Sequence, residues 1–264
     1  MDDLLAIATL LDNRFRIADL IGHGEGTAGY LAADLDQGGA WTIVWESLEM
    51  FRMRQKPSGV LAYLTQRDRH YLILRLEGQD LGMIYSAAGV VVGDWAALWL
   101  AQVSDGIGQW HIRAQDRLVC LESGDIRLSD LRLTATGRAL LPSCELLSQP
   151  PPTIVAGQSV AFSAPEKALG RGLTIQSDVY ALASALYCLV TGRPPPDLRD
   201  LAEGRIELPA PRKIQRGISG RLEKVILKAM SLEPQRRHES AMQLSLELDR
   251  CVPRRLRRHR IGAF

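Results

Sequence analysis

The order of hydrophobic patterns along the chain limits the fold more than any single motif does. Residues 15–21, 29–32, 41–45, 60–65 and 71–76 read as strands, because they alternate or are rich in β-branched and aromatic residues. Longer helical patterns fill the remainder. Strands followed by helices predict an α+β fold with two lobes. A cleft between the lobes is then the default binding site.

The predicted helices span residues 95–110, 178–191, 220–230 and 239–251. Asp94 is suited to cap the first of them. The second is almost continuously apolar, which is typical of a buried core helix and too short for a membrane span. Gly192 and Pro194 end it.

Composition narrows the function classes. The chain has 264 residues and a formal net charge of +2, which by itself does not favour a nucleic-acid partner. We find no apolar run long enough to span a membrane, and the acidic start Met1-Asp2-Asp3 does not resemble a secretion signal. The 4 cysteines are scattered without a CxxC pair, so we expect reduced thiols, no zinc site and a cytoplasmic location.

An ordered set of motifs then suggests a family. The strongest are Phe162-Ser163-Ala164-Pro165-Glu166, residues 177–182 and residues 189–195, with residues 13–34 before them and residues 222–237 after them. Together these resemble the bacterial serine/threonine protein kinases over about residues 13 to 250. The resemblance implies a two-lobed kinase-like fold with a β-rich N-lobe (1–78), a helical C-lobe (79–252) and a basic tail (253–264).

The resemblance also assigns structural roles in the C-lobe. Glu166, in the Ala-Pro-Glu motif, would form a buried ion pair with Arg237. Asp178 would hydrogen-bond the backbone of the catalytic loop, or it would simply cap the helix that it begins.

The glycine loop of the family is partly present. Gly22, Gly24 and Thr27 match it in one register, and Gly24, Gly26 and Gly29 match it in another. Glu25 lies in the loop in both registers, where a carboxylate would repel phosphates. A hairpin turn without a ligand therefore stays open as an alternative.

The strand lysine of the family is replaced by Trp45 or Glu46, depending on register. Trp45 would fill the nucleotide pocket, whereas Glu46 would place a negative charge near the phosphates. The regulatory helix is confined to residues 48–58, which gives it about two turns at most. Glu49 has no lysine to pair with there, and Lys56 reads as a loop charge.

The catalytic loop is predicted to be deleted. His111 fits the end of the long helix, Asp116 fits a turn, and Arg117 occupies the position of the metal-binding asparagine. Asp130, in Ser129-Asp130-Leu131-Arg132, resembles the magnesium-binding aspartate of the family. A single carboxylate binds magnesium weakly when no substrate phosphates complete the coordination shell.

These losses predict a pseudokinase that is not an enzyme and has no catalytic residue, bound cofactor or metal. Its vestigial nucleotide pocket would comprise Gly22, Gly24, Thr27, Trp45, Glu46 and Asp130. We expect a protein-interaction, scaffold or allosteric module in bacterial phospho-signalling. Its partner would be an active kinase, a metal-dependent serine/threonine phosphatase or a phosphopeptide-binding domain. The alternatives are a nucleotide-binding switch and an atypical serine/threonine kinase.

The chain ends in a basic run, Arg254-Arg255-Leu256-Arg257-Arg258-His259-Arg260. A frayed, solvated terminus is one interpretation, and contact with an acidic partner surface or anionic lipid is another. No aromatic residue interleaves the cations, so we expect no nucleic acid to bind.

Overall fold

The N-terminal part of the chain is an antiparallel sheet. The computed structural model describes residues 4–24, 26–48, 60–66, 68–113, 126–141 and 162–257. In this part of the chain the sheet has the strand order β1-β2-β3-β4-β6-β5, and β7 is added to β2. The strands are β1 (Leu10–Leu11), β2 (Phe15–Gly24), β3 (Thr27–Asp34), β4 (Ala40–Ser47), β5 (Val60–Gln66), β6 (Arg69–Arg75) and β7 (Val90–Val91).

The rest of the described chain is mainly helical. The helices are α1 (Leu81–Ala88), α2 (Gly93–Arg113), α3 (Pro165–Ala168), α4 (Ile175–Thr191), α5 (Leu198–Ala202), α6 (Pro211–Ile214), α7 (Gly220–Ala229), α8 (Ala241–Asp249) and α9 (Arg254–Arg257). A two-stranded hairpin, β8 (Arg132–Leu133) and β9 (Ala139–Leu140), lies between α2 and α3. The predicted α+β class, with a sheet-forming N-lobe and a helical C-lobe, is confirmed.

The alternation of side chains gives the sheet two distinct faces. One face, here called the inner face, shares a continuous buried core with the helices and carries Ile21, Leu31, Ile43, Trp45, Leu72 and Leu74. The opposite, outer face has its own core, which contains Ile17, Ala28, Tyr30, Val44, Tyr71 and Ile73. Successive residues of a strand point to opposite faces, so the side chains of β4 alternate between the inner and the outer face.

Helix α4 is the buried centre of the C-lobe, as its sequence predicts. Every residue from Ser177 to Thr191 is buried. Thr174 caps its start, and Gly192 ends it with a left-handed φ of 71°. Helix α2 crosses α8 closely at Gly108, where a Cβ would lie 2.8 Å from the Met242 nitrogen. A glycine is therefore needed at this crossing.

Helix α2 begins two residues earlier than predicted. Its first residue is Gly93, so Asp94 lies in the first turn and not at the cap. The carbonyl oxygen of Val92 accepts from the backbone nitrogens of Trp95 and Ala96, which starts the helix without a capping side chain. The helix also continues past His111 to Arg113.

The start of the basic tail is packed against the domain. Leu256 of α9 is buried, and Arg257 Nε donates to the carbonyl oxygen of Val252 at 2.9 Å. Residues 254–257 are therefore not a frayed end, whereas residues 258–264 lie outside the described residues.

The predicted division of the chain into lobes and tail, at residues 78 and 252, stays a prediction. No helix in the described part of the chain is long and apolar enough to cross a bilayer.

Candidate functional site

Trp45 lies on the inner face of the sheet, where the family lysine was expected. Its indole packs on Gly29 of the neighbouring strand β3, and a Cβ at Gly29 would lie only 2.3 Å from the ring. Trp45 is 3% exposed and belongs to the same core as Ile21 and Leu72. The end of the β2–β3 hairpin that carries Gly22, Gly24 and Gly29 is here called the glycine hairpin. The inner face beside it is filled by the indole of Trp45.

Glu46 points to the outer face, away from the helices. Tyr30 Oη donates to Glu46 Oε2 at 2.6 Å, and Arg69 Nη1 forms an ion pair with Glu46 Oε1. Burial and the hydrogen bond to Glu46 raise the pKa of Tyr30, so the phenol stays protonated at neutral pH. The two residues that could replace the family lysine therefore lie on opposite faces of the sheet, Trp45 on the inner face and Glu46 on the outer face.

The glycine hairpin is joined to the C-lobe by backbone hydrogen bonds. Gly22 pairs with Val91 of β7, and the Val92 nitrogen donates to the carbonyl oxygen of Ile21 at 2.7 Å. A Cβ at Gly22 would lie 2.3 Å from the Val90 carbonyl oxygen, so only glycine allows this approach. Gly22 is thus a contact between β2 and the segment that enters α2.

The other predicted loop positions form the end of the same hairpin. Gly24 pairs with Thr27, and Gly22 pairs with Gly29. Glu25 lies outside the described residues. The strands on both sides of Glu25 are therefore paired, and this pairing is compatible with both a ligand-free turn and a phosphate-binding loop.

Asp130 caps its own turn. Its Oδ2 accepts from the Arg127 backbone nitrogen at 3.2 Å, in a short 3-10 helix formed by Leu128–Asp130. Within the described part of the chain, no group of histidine, cysteine or acidic residues is arranged to hold a metal ion. Among the described residues, Asp130 and Glu46 do not belong to such a group, and the predicted nucleotide pocket stays a prediction.

The residues after Asp130 pair with the segment that connects the sheet to α1. The Gly78 nitrogen donates to the Leu133 carbonyl oxygen at 3.0 Å, the Leu133 nitrogen donates to Gln79 at 2.8 Å, and the Leu81 nitrogen donates to Leu131 at 3.0 Å. Arg132 adds a side-chain contact to the Gly78 carbonyl oxygen at 3.2 Å. The backbone of the connecting segment is therefore occupied by the chain itself.

Glu166 and Arg237 are in direct contact. Arg237 Nη1 and Nη2 each donate to a Glu166 carboxylate oxygen at 2.8 Å, and Ser177 Oγ donates to Glu166 Oε1 at 2.5 Å. Burial alone would raise the pKa of Glu166, but the hydrogen bonds from Arg237 and Ser177 outweigh it and hold this pKa below its ordinary value. The carboxylate stays ionised and holds α3 against α4.

Asp178 contacts His111 across the C-lobe. His111 Nε2 lies 2.8 Å from Asp178 Oδ2, and the Asp178 side chain is fully buried. Helix α4 begins at Ile175 with Thr174 as its cap, so the simple cap role is not the one that Asp178 takes. The predicted contact with the catalytic loop, and the residues Asp116 and Arg117, fall within 114–125, outside the described residues.

The partners of two of these groups were not predicted from the sequence. Arg69 and Val91 were not singled out, although Arg69 forms an ion pair with Glu46 and Val91 pairs with Gly22. For Arg69, the partner of Glu46, the available signal was the alternation of side chains along β4. It places Glu46 on the face opposite Ile43 and Trp45, so a partner on the outer face was to be expected.

The regulatory helix expected over residues 48–58 is not tested. Only Leu48 of this stretch is described, and Glu49, Lys56 and Pro57 lie outside the described residues.

Curated proteins similar to this chain are bacterial serine/threonine protein kinases. PrkC of Bacillus subtilis is 25% identical over 276 residues, which cover 92% of this chain and 41% of that protein. Pkn1 of Myxococcus xanthus is 37% identical over 84 residues, 30% of this chain and 12% of that protein. PknB of Mycobacterium tuberculosis is 28% identical over 141 residues, 48% of this chain and 22% of that protein. The chain thus spans less than half the length of these relatives.

No family model matches the chain. Among solved structures, the kinase domain of PknI from Mycobacterium tuberculosis is 19% identical, with coverage of 94% of this chain and 100% of that chain and a TM-score of 0.47.

The prediction that the chain is not an enzyme is wrong in light of these relatives. They are named as serine/threonine protein kinases, which points to an enzyme family. The prediction rested on single positions such as Trp45 and on a loop that falls outside the described residues.

Proposed function

Because the relatives of this chain are bacterial serine/threonine protein kinases, we propose that it is a kinase-fold domain that binds and regulates a protein partner in bacterial phospho-signalling. Partner classes suited to this role are an active kinase, a metal-dependent serine/threonine phosphatase and a phosphopeptide-binding domain. A cytoplasmic location belongs to the same proposal, and it is supported by the free thiols of Cys188 and Cys251.

One observation carries the proposal: the inner face of the sheet is packed with the chain's own residues. Trp45 lies against Gly29, and Gly22 lies against the Val90 carbonyl oxygen. The sheet and helices share one buried core at this place. Recognition would then use the outer surface of the C-lobe, which the Glu166–Arg237 pair keeps rigid.

The test is capture of a defined partner. The purified chain, immobilised through a tag, is offered candidate kinases and phosphatases encoded beside it, one at a time, and binding is measured by biolayer interferometry. We expect a saturable complex with one of them and an altered rate of that partner's reaction. Failure of every candidate to bind, with the chain folded by circular dichroism, would reject the proposal.

A serine/threonine kinase activity is the second candidate, and the names of the relatives favour it. It predicts transfer of radiolabelled phosphate from ATP in the presence of magnesium, either to the chain itself or to a general substrate such as myelin basic protein. Asp130→Ala should abolish the label if Asp130 holds magnesium. Label that persists in Asp130→Ala would assign the transfer to another group or to a contaminating kinase.

A further inference from the structure

We infer that the C-terminal surface of the domain binds an acidic, aspartate- and glutamate-rich segment of a protein partner. The surface, here called the basic face, carries Arg212, Arg216, Arg221, Lys224, Arg250 and Arg254, all of them exposed. This inference rests on the proposed function, because it supplies the chemistry by which the partner is recognised.

Side-chain positions bring Arg212, Arg221 and Arg250 close together. A Cβ at Gly220 would lie 3.5 Å from Arg212 Nη1, so the Arg212 side chain lies over the start of α7. Arg221, the next residue of α7, donates through Nη1 to the Arg250 carbonyl oxygen at 3.2 Å. The end of α8 is thereby brought beside α7.

The remaining members of the basic face are placed by the same elements. Lys224 follows Arg221 on α7 at a spacing that puts both side chains on the same side of the helix. Arg254 begins α9, which is held to the domain by buried Leu256. Arg216 lies on the exposed turn between α6 and α7.

Among the described residues, the cations of the basic face have no counter-ion. In the described ranges, no carboxylate lies within 4.0 Å of their charged nitrogens, whereas neighbouring Arg255, Arg257 and Lys228 each have such a partner. Glu223 is the acidic residue within the face, and its Oε2 accepts from the Arg212 backbone nitrogen at 2.7 Å. A surface with one sign of charge attracts and orients a partner of opposite charge.

The kinds of side chain favour a carboxylate-bearing protein over a lipid surface. Most members are arginines, whose planar guanidinium presents a fork that matches a carboxylate in a two-point hydrogen bond. Helices that bind membranes bury an apolar face in the bilayer. The apolar residue of α9, Leu256, is instead 3% exposed and packed into the domain.

The experiment measures binding of a fluorescein-labelled decaglutamate peptide by fluorescence anisotropy, with a decaglutamine peptide as control. The test variant is Arg216→Gln/Lys224→Gln/Arg254→Gln, because none of these side chains makes a hydrogen bond to a described residue. The matched control is Arg16→Gln/Arg75→Gln/Arg171→Gln, which removes the same charge from exposed positions elsewhere. Thermal unfolding checks that all proteins are folded.

We expect decaglutamate to bind the native chain, to bind the test variant roughly tenfold more weakly, and to bind the control variant within about twofold of the native affinity. The affinity should also fall as salt rises from about 0.05 to 0.3 M, because exposed charges are screened. An equal loss in both variants, or no binding of decaglutamate, would overturn the inference.

Anionic vesicles separate the lipid alternative. Binding of phosphatidylserine/phosphatidylcholine vesicles without binding of decaglutamate would assign the basic face to membranes and reject the protein partner. The proposed function is tested separately. If a defined partner binds the native chain and the test variant equally well, the basic face is not its site, although the proposed function stands.

Discussion

Arg237 and Glu166 form a two-point ion pair, in which each terminal guanidinium nitrogen lies 2.8 Å from a different carboxylate oxygen. Arg237 Nε donates to Ser231, Nη1 to Gln176 and Nη2 to Leu232, all through backbone carbonyl oxygens. A guanidinium has about five N–H donors, so this buried cation is fully hydrogen-bonded. The pair links α3, the start of α4 and the turn before α8.

Removal of the Glu166 charge should destabilise the domain strongly. In Glu166→Gln, Arg237 remains buried without its counter-ion, and we expect a loss of about 3–5 kcal/mol in the free energy of unfolding. Urea denaturation followed by circular dichroism measures it. The matched control is Glu233→Gln, whose exposed partner is Arg236, and it should cost less than about 0.5 kcal/mol. Similar losses in both variants would contradict the assigned role of the buried pair.

The same pair predicts a dependence on acid. In the folded domain the pKa of Glu166 lies below its ordinary value of 4.5. The ionised carboxylate therefore stabilises the fold fully above about pH 4.5, and this stabilisation is lost as the pH falls through the folded pKa. The difference in unfolding free energy between the native chain and Glu166→Gln should therefore shrink below about pH 4.5. A difference that stays constant from pH 7 to pH 3 would show that ionisation of Glu166 does not stabilise the fold.

The contact of Trp45 with Gly29 predicts a strong coupling between these positions. Gly29→Ala should destabilise the domain by about 1–3 kcal/mol, because its Cβ would clash with the indole at 2.3 Å. Trp45→Leu removes the clash, so the double variant should cost less than the sum of the two single variants. Chemical denaturation of all four proteins gives the coupling energy.

A helical glycine elsewhere serves as the control for Gly29. Nothing lies within 4 Å of a Cβ at Gly106, so Gly106→Ala should be neutral or stabilising by up to about 1 kcal/mol. Additive effects of Gly29→Ala and Trp45→Leu would rule out the packing of the indole on Gly29.

Substitution of Gly22 should loosen the junction between β2 and β7. In Gly22→Ala, the Cβ would meet the Val90 carbonyl oxygen at 2.3 Å, so the two strands must separate. We expect the Val92 amide, which donates to Ile21, to lose at least about tenfold of its protection against hydrogen exchange. Mass spectrometry of the peptide that contains Val92 measures this.

Gly217→Ala is the matched control for Gly22, because a Cβ there has no neighbour within 4 Å. Its Val92 peptide should exchange at the native rate. Native protection in Gly22→Ala would mean that the pairing of β2 with β7 does not depend on glycine.

Much of the local structure could be predicted from the sequence. Alternation predicted the strands that became β2, β4 and β6, and the apolar run with Gly192 at its end predicted α4. The first residue of α2 was missed, because the backbone of Val92 starts that helix and Asp94 only follows in the first turn. Such an end depends on a backbone contact that composition does not reveal.

What the sequence by itself determined was the order of elements and the α+β class, since these follow from short-range periodicity. The C-lobe framework residues came instead from the resemblance of the motifs to bacterial serine/threonine protein kinases. Only the tertiary structure decided that Trp45 faces inward while Glu46 turns to Tyr30 and Arg69, and that Gly22 meets the strand before α2. These contacts join residues distant in the chain. They depend on how strands pair and helices pack, and a local pattern does not encode that arrangement.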